Sequence, residues 1–151
     1  MMTPRAVLFD LDGTLYDLGA MRSEMVMEML VLLLTFRWGT VLRIRAFRRQ
    51  FETLRELGRP EAPLSVTRFE RAAAARGDRV ETVREMHDEW MLRRPCTYLK
   101  SAMRKDLRAS LARLREAGLK VGVFSDHPVE AKLRAMGIRD EFDFALSAMD
   151  P

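Results

Sequence analysis

The chain has 151 residues, 48% of them hydrophobic and 32% charged, enough for one domain with a buried core and too short for two independent domains of ordinary size. That balance excludes intrinsically disordered, collagen-like and low-complexity classes. The formal charge of +4 comes from 26 basic and 22 acidic residues, mostly interspersed, and net charge of this size assigns no partner by itself.

Cys96 is the single cysteine, which excludes an internal disulfide framework and a multi-cysteine zinc site and fits a reducing compartment, with the cytoplasm as the default. The N-terminus turns acidic at Asp10 before an apolar run of signal-peptide length develops, so secretion is not expected. The longest apolar stretch, Met29 to Leu34 within Met25 to Phe36, is interrupted by Glu28 and followed by Arg37. It falls well short of the roughly 20 residues that span a bilayer, and no transmembrane segment is predicted.

In chain order, the apolar run Ala6-Val7-Leu8-Phe9 ending in Asp10 reads as a strand buried on both faces of a parallel sheet. A strongly apolar helix is predicted over Met21 to about Arg37, with Gly39 as the break after it. A second helix is predicted from Val41 to Leu57, with Phe47, Phe51 and Leu54 at helical spacing and Gly58 and Pro60 as stop signals. A third runs from near Ser65 to Gly77. The fourth starts at a capping-box-like Asp78 with Glu81 three residues on, and closes before Pro95, after which a loop carries Cys96 to Leu99. Met103 to Ala117 reads as an amphipathic helix with Leu107, Leu111 and Leu114 on one face and Gly118 as its cap. It leads into a second strand, Leu119 to Phe124. A further helix has Pro128 at its first turn and ends at Gly137, before a third strand from Phe142 to Leu146. The pattern predicts an α/β fold in which a helical insertion, residues 17–99, interrupts a parallel-sheet core made of residues 1–16 and 100–151.

Chemistry concentrates in Phe9-Asp10-Leu11-Asp12-Gly13-Thr14-Leu15. Strand alternation points Asp10 and Asp12 to the same side at the carboxyl edge of the sheet, where such folds bind ligands, and Gly13 lets the chain turn away. Two adjacent carboxylates are costly without a cation or a shared proton, and a hard divalent ion such as Mg2+ relieves the repulsion. One carboxylate can attack an electrophile while the other moves the protons, which is the arrangement of phosphoryl transfer. Taken alone, Asp-x-Asp-Gly at a strand end serves equally as a turn. Val121-Gly122-Val123-Phe124-Ser125 adds a hydroxyl at the end of the next strand, directly before a helix. Such a corner suits a phosphate, although a lone Ser125 or His127 there is more often a helix cap.

Together these two segments resemble the haloacid dehalogenase superfamily of phosphatases. Phe9 to Leu15 matches its first motif in full, and Phe124-Ser125 its second. The run Lys132 to Ile138, through Phe142-Asp143, looks like the phosphoglycolate-phosphatase-like branch. The resemblance implies a Rossmann-like three-layer core with an inserted α-helical cap and a Mg2+-dependent phosphatase acting on a small phosphorylated metabolite. It implies Asp10 as the nucleophile that forms an aspartyl-phosphate, Asp12 as general acid and base, and Ser125 as the ligand of the phosphoryl oxygens. Mg2+ would be held by the Asp10 carboxylate and the Asp12 backbone carbonyl. Thr14 fits the phosphatases, whose mutase relatives often have Val there, and Asp12 disfavours dehalogenation.

In the family, a phosphate-binding lysine and an acidic motif completing the metal site lie beyond the third strand, whereas this sequence ends Ser147-Ala148-Met149-Asp150-Pro151. Lys132 sits too early in the sequence, and Asp150 lacks a suitable strand before it, so neither takes those roles. The expectation is therefore a C-terminally truncated, incomplete core with little or no turnover, and with an unpaired hydrophobic sheet edge at Ala6 to Phe9 that docks a partner or a second copy. The alternative is a catalytically inactive binding module of the same family.

Five arginines (37, 43, 45, 48 and 49) and no acid occupy residues 37–49. They form either a solvated helix face, a basic surface for anionic lipid, or an attractor for a phosphorylated substrate. Nucleic acid is the least favoured partner, since aromatic interleaving is thin. Met21, Met25 and Met29 fall at helical spacing and read as core. His127 adjoins the second motif and is placed to touch substrate. His87 reads as structural, and the two histidines lack metal-ligand spacing.

Overall fold

The computed structural model describes residues 4–56 and 64–148. The chain runs β1 (Ala6–Asp10), α1 (Leu18–Leu34), α2 (Trp38–Glu56), α3 (Leu64–Ala74), α4 (Val80–His87) and a π-helical stretch Asp88–Arg93. It continues with α5 (Arg94–Ala102), α6 (Leu107–Glu116), β2 (Lys120–Ser125), α7 (Glu130–Met136), a 3-10 turn Arg139–Glu141 and β3 (Phe144–Ser147). It divides into two compact units, residues 1–24 with 95–151, and residues 25–94. The stop signals Gly58 and Pro60, and Asp150, lie outside the described residues.

The first unit is α/β, with a three-stranded sheet in the order β1-β2-β3. All strands are parallel, with Val7 opposite Val121, Phe9 opposite Val123, and Phe124 opposite Leu146. On one face Val121 and Val123 share a fully buried core with Leu11, Leu15, Leu99, Leu111, Leu133 and Met136, so α5, α6 and α7 supply its helical side. On the other face Leu8, Phe124 and Leu146 are 56%, 41% and 51% exposed, and no helix among the described residues covers them. β1 is the edge strand of the described sheet, in keeping with the expected unpaired edge at Ala6 to Phe9, but its apolar sequence is not buried on both faces: its side chains alternate between half-buried and exposed. Composition reports that a strand tolerates burial on both sides, whereas the neighbours that bury it come from elsewhere in the chain.

Gly122 has a specific packing role at the centre of β2. A Cβ placed there would lie 2.0 Å from the Phe144 ring, so only glycine lets this phenylalanine lie across the sheet. The helices α6 and α7 run out at Gly118 and Gly137, both in the left-handed conformation, as the sequence indicates.

The second unit is helical. Ile44, Phe47, Phe69, Ala72, Val83 and Trp90 form its core, with Met25 and Met29 packed against it. His87 is buried between Phe47 and Phe69, each ring centroid 5.1 Å away, which is the structural role expected of it.

Four local expectations fail for identifiable reasons. Gly39 lies inside α2, and the break after α1 falls instead at Phe36, which takes a left-handed φ of 56°. Asp78 does not cap α4. Its carboxylate accepts two hydrogen bonds from Arg43, each 3.0 Å, and a third from Arg76, because a bidentate charged pair outcompetes a neutral capping bond. Residues 96–99, read as a loop, belong to α5. The fourth helix does not close before Pro95: α4, the π-helical stretch and α5 follow one another without a break, and Pro95 sits just past the π-helical turn, where the irregular backbone accommodates a residue without an N–H.

Candidate functional site

The site is built where β1 ends. Leu11 and Leu15 are both fully buried, and the Leu15 N–H closes a turn on the Leu11 carbonyl at 3.1 Å. Anchoring these two side chains inward leaves Asp10 and Thr14 exposed and Asp12 half-buried. Gly13 makes the turn with φ 91°, a conformation that costs a residue with a Cβ about 1 kcal/mol or more. The Thr14 hydroxyl donates to Asp10 Oδ2 at 3.0 Å. From the far side, Arg104 holds the turn through its backbone N–H to the Leu15 carbonyl (3.0 Å) and its guanidinium to the Gly13 carbonyl (3.1 Å).

Asp12 is the better-partnered carboxylate. Its Oδ1 accepts a short hydrogen bond from the buried Tyr16 hydroxyl and an ion pair from Lys132 Nζ at 2.6 Å. The side chains of Lys132 and Asp12 are only 11% and 24% exposed, so solvent screens this pair weakly. Burial by itself disfavours the charged carboxylate. The hydrogen bonds from Lys132 and Tyr16, together with the positive charge of Lys132 and a contribution from His127, outweigh burial and hold the Asp12 carboxyl below its ordinary value of 3.8. The same contacts act oppositely on Tyr16, whose hydroxyl is pushed far up by burial and by the adjacent Asp12 carboxylate, so it remains a donor.

The other predicted residue, Ser125, ends β2 beside β1 at the carboxyl end of the parallel sheet. It is 3% exposed, and its Oγ accepts the backbone N–H of His127 at 3.1 Å. Asp10, Asp12 and Ser125 thus share one end of the sheet, with Asp12 and Lys132 in direct contact. Half-buried Cys96 is near enough to feel the charge of Lys132, but burial pushes its thiol up, so it is no thiolate nucleophile.

Two residues of this cluster were missed in the sequence. Lys132, too early in the sequence for the family's lysine, lies 120 residues from Asp12 in the chain and within hydrogen-bond distance in space. Its signal was its helix position, three residues after buried Val129 and four before buried Met136, on the inward face of α7. Tyr16, four residues after Asp12, had no comparable signal.

Among the described residues no three or more His, Cys, Asp or Glu side chains gather to hold a metal. Two neighbouring acids that offer hard oxygens nevertheless suit Mg2+, which keeps several waters and commonly binds one or two carboxylates together with substrate phosphate.

The Asp12–Lys132 pair makes a prediction about stability. A carboxyl held low in the fold stabilises the protein above its ordinary value of 3.8, and that contribution is lost as pH falls from there through the lower folded value. Lys132→Met should cost about 1–3 kcal/mol at neutral pH, because Asp12 remains half-buried without its cation. The difference from wild type should shrink on acidification below 3.8. Urea melts of the two proteins at several pH values measure it, and equal stability throughout would remove the pair from this account.

No curated protein significantly matches the sequence. Among 15 solved chains that match, one is a Thermotoga maritima protein provisionally named beta-phosphoglucomutase, at 18% identity and a TM-score of 0.46. The match covers 95% of this chain and 61% of that one, so this chain spans about three fifths of that protein's length. The sequence profile of the haloacid dehalogenase-like hydrolases matches residues 4–151, nearly the whole sequence, and the chain belongs to that family.

Proposed function

We propose that this chain carries the nucleophile and proton-transfer groups of a Mg2+-dependent phosphatase acting on a small phosphorylated metabolite, as in the phosphoglycolate-phosphatase-like branch. The observation that supports it most is the pair of acids at the β1 turn, one exposed and free of a cation partner among the described residues, the other held as a carboxylate by Lys132. An exposed carboxylate is the available nucleophile, and a buried, cation-paired one is suited to moving protons.

In this reading an Asp10 oxygen attacks phosphorus while the bond from phosphorus to the leaving oxygen breaks. Asp12, protonated in the substrate complex, gives that oxygen its proton. Water then attacks the phosphorus of the Asp10 acyl phosphate and Asp12 takes a proton from it. Breaking the bond between phosphorus and the Asp10 oxygen regenerates the carboxylate and releases inorganic phosphate. Because Lys132 and Tyr16 favour the Asp12 carboxylate, its second role is preorganised, and the first requires Lys132 to exchange Asp12 for a phosphoryl oxygen. The Ser125 hydroxyl orients the phosphoryl group. Mg2+, held by the Asp10 carboxylate and the Asp12 carbonyl, would neutralise phosphoryl charge when bound. The helical unit, residues 25–94, is read as a cap that selects substrate, and the lone Cys96 suits a reducing, cytoplasmic setting.

The test is phosphoryl capture. The 151-residue chain, incubated with acetyl phosphate and Mg2+ and quenched in acid, should gain one phosphoryl group per molecule, mapped by peptide mass spectrometry to Asp10 and lost on chelation. No uptake, or uptake at another residue, overturns the assignment.

The exposed sheet face at Leu8, Phe124 and Leu146 favours the second reading, a binding module without chemistry. It requires a stable complex through that face together with absence of Asp10 phosphorylation.

A further inference from the structure

The helical unit carries a surface that phosphatase chemistry does not use. On α1, Val26, Met27, Leu30, Val31 and Leu34 are all exposed, Leu34 by 70%, and their spacing places them on one side of the helix. Phe36 in the turn is 85% exposed, and Trp38 and Leu42, four residues apart on one face of α2, are 53% and 46% exposed. A monomeric protein in water rarely leaves so long a run of large apolar side chains uncovered. Phe36 also holds a left-handed backbone, φ 56°, which is unfavourable for a residue with a side chain. The strain presents an aromatic ring to solvent where glycine would be more comfortable.

Charge accompanies this stripe. Trp38, Leu42, Arg45 and Arg49 recur at intervals of four, three and four on α2, so two guanidinium groups follow the exposed apolar residues along one helix face. Arg37 and Arg48 are exposed as well, and none of the four has an ion pair with a described residue. Arg43, the fifth arginine of the segment, is committed to Asp78. An open groove of about 470 Å³ is lined by Met29, Val41 and Ile44 together with Arg45, Arg48 and Arg49, and Glu52 is its one acid.

We propose that the α1–α2 hairpin docks on the surface of an anionic phospholipid bilayer. Apolar side chains of α1 and the Phe36 and Trp38 rings enter the interfacial region, and the arginines meet acidic headgroups, with the groove offering one a seat. Charge complementarity selects an anionic partner, and exposed Phe and Trp beside aliphatic side chains select a lipid interface over nucleic acid. No helix among the described residues is long and apolar enough to cross a membrane, so the hairpin lies on the surface.

The experiment is co-sedimentation of the 151-residue chain with vesicles of phosphatidylglycerol and phosphatidylcholine in equal parts, against pure phosphatidylcholine, with tryptophan emission recorded in parallel. Binding should require phosphatidylglycerol, weaken with salt, and shift the emission of exposed Trp38 to shorter wavelength against the already buried Trp90. Phe36→Gly relieves the left-handed strain, so it should melt no lower than wild type while binding about tenfold or more weakly. Arg45→Gln, Arg48→Gln and Arg49→Gln should each cost about fivefold. Three results overturn the proposal: no binding to phosphatidylglycerol vesicles, equal binding to neutral ones, or full binding by Phe36→Gly. Dimerisation through this face that Phe36→Gly abolishes, without vesicle binding, assigns the surface to a second copy instead.

Discussion

Asp10→Asn is expected to reduce phosphoryl capture from acetyl phosphate to background, a loss of at least about 100-fold. The substitution keeps the shape of the side chain and retains an oxygen that can accept the 3.0 Å hydrogen bond from Thr14, but an amide is a poor nucleophile towards phosphorus. Asp10 is exposed at the strand end, so unfolding free energy should change by no more than about 0.5 kcal/mol. Capture and stability are thereby separated. A folded variant that still takes up phosphate contradicts the nucleophile role. Asp12→Asn should behave differently. It leaves Asp10 able to accept the phosphoryl group from a good leaving group, but removes the base that activates water, so the labelled species should persist longer than in wild type. Following decay of the label after excess donor is removed distinguishes the two acids.

Gly122→Ala is expected to be among the most damaging single substitutions in the first unit. Its Cβ would stand 2.0, 2.2 and 2.7 Å from three carbons of the Phe144 ring, distances that non-bonded carbons cannot share. The ring belongs to β3 and the glycine to β2, paired directly in register, so relief requires either a new rotamer for Phe144 or a shift of the outer strand. Overpacking of this kind costs about 1–3 kcal/mol, sometimes more, and roughly 2–4 °C of melting temperature per kcal/mol at this chain length. Phe144→Leu should recover much of that loss in the double variant, although by itself it is mildly destabilising. A double-mutant cycle measures the coupling, and additive effects would show that the strands accommodate the methyl group elsewhere.

Local information in the sequence was sufficient for most of the secondary structure. The apolar runs ending in Asp10 and Ser125 formed parallel strands, and Gly118 and Gly137 ended their helices, because strand alternation, helical periodicity and left-handed capping depend on neighbouring residues. The Asp10-Leu11-Asp12-Gly13-Thr14 motif was legible for the same reason: two inward leucines and a glycine turn are encoded within a few positions. Where a residue had a stronger distant partner, local reading failed. Asp78 turned to Arg43 instead of capping α4, and Lys132 reached Asp12 from the inward face of α7.

The sequence by itself therefore determined the α/β class, the helical insertion, and the acids at the carboxyl end of the first strand. Only the tertiary structure decided which ionised groups meet, which face of β1 is covered, and that large apolar residues of α1 and arginines of α2 are left exposed. Such properties depend on residues tens of positions apart, and on the difference between a side chain's tolerance of burial and the presence of a neighbour that buries it. Leu8 shows the distinction. Its sequence context is that of a central strand, and the structure leaves it 56% exposed, because no described segment packs over that side of the sheet.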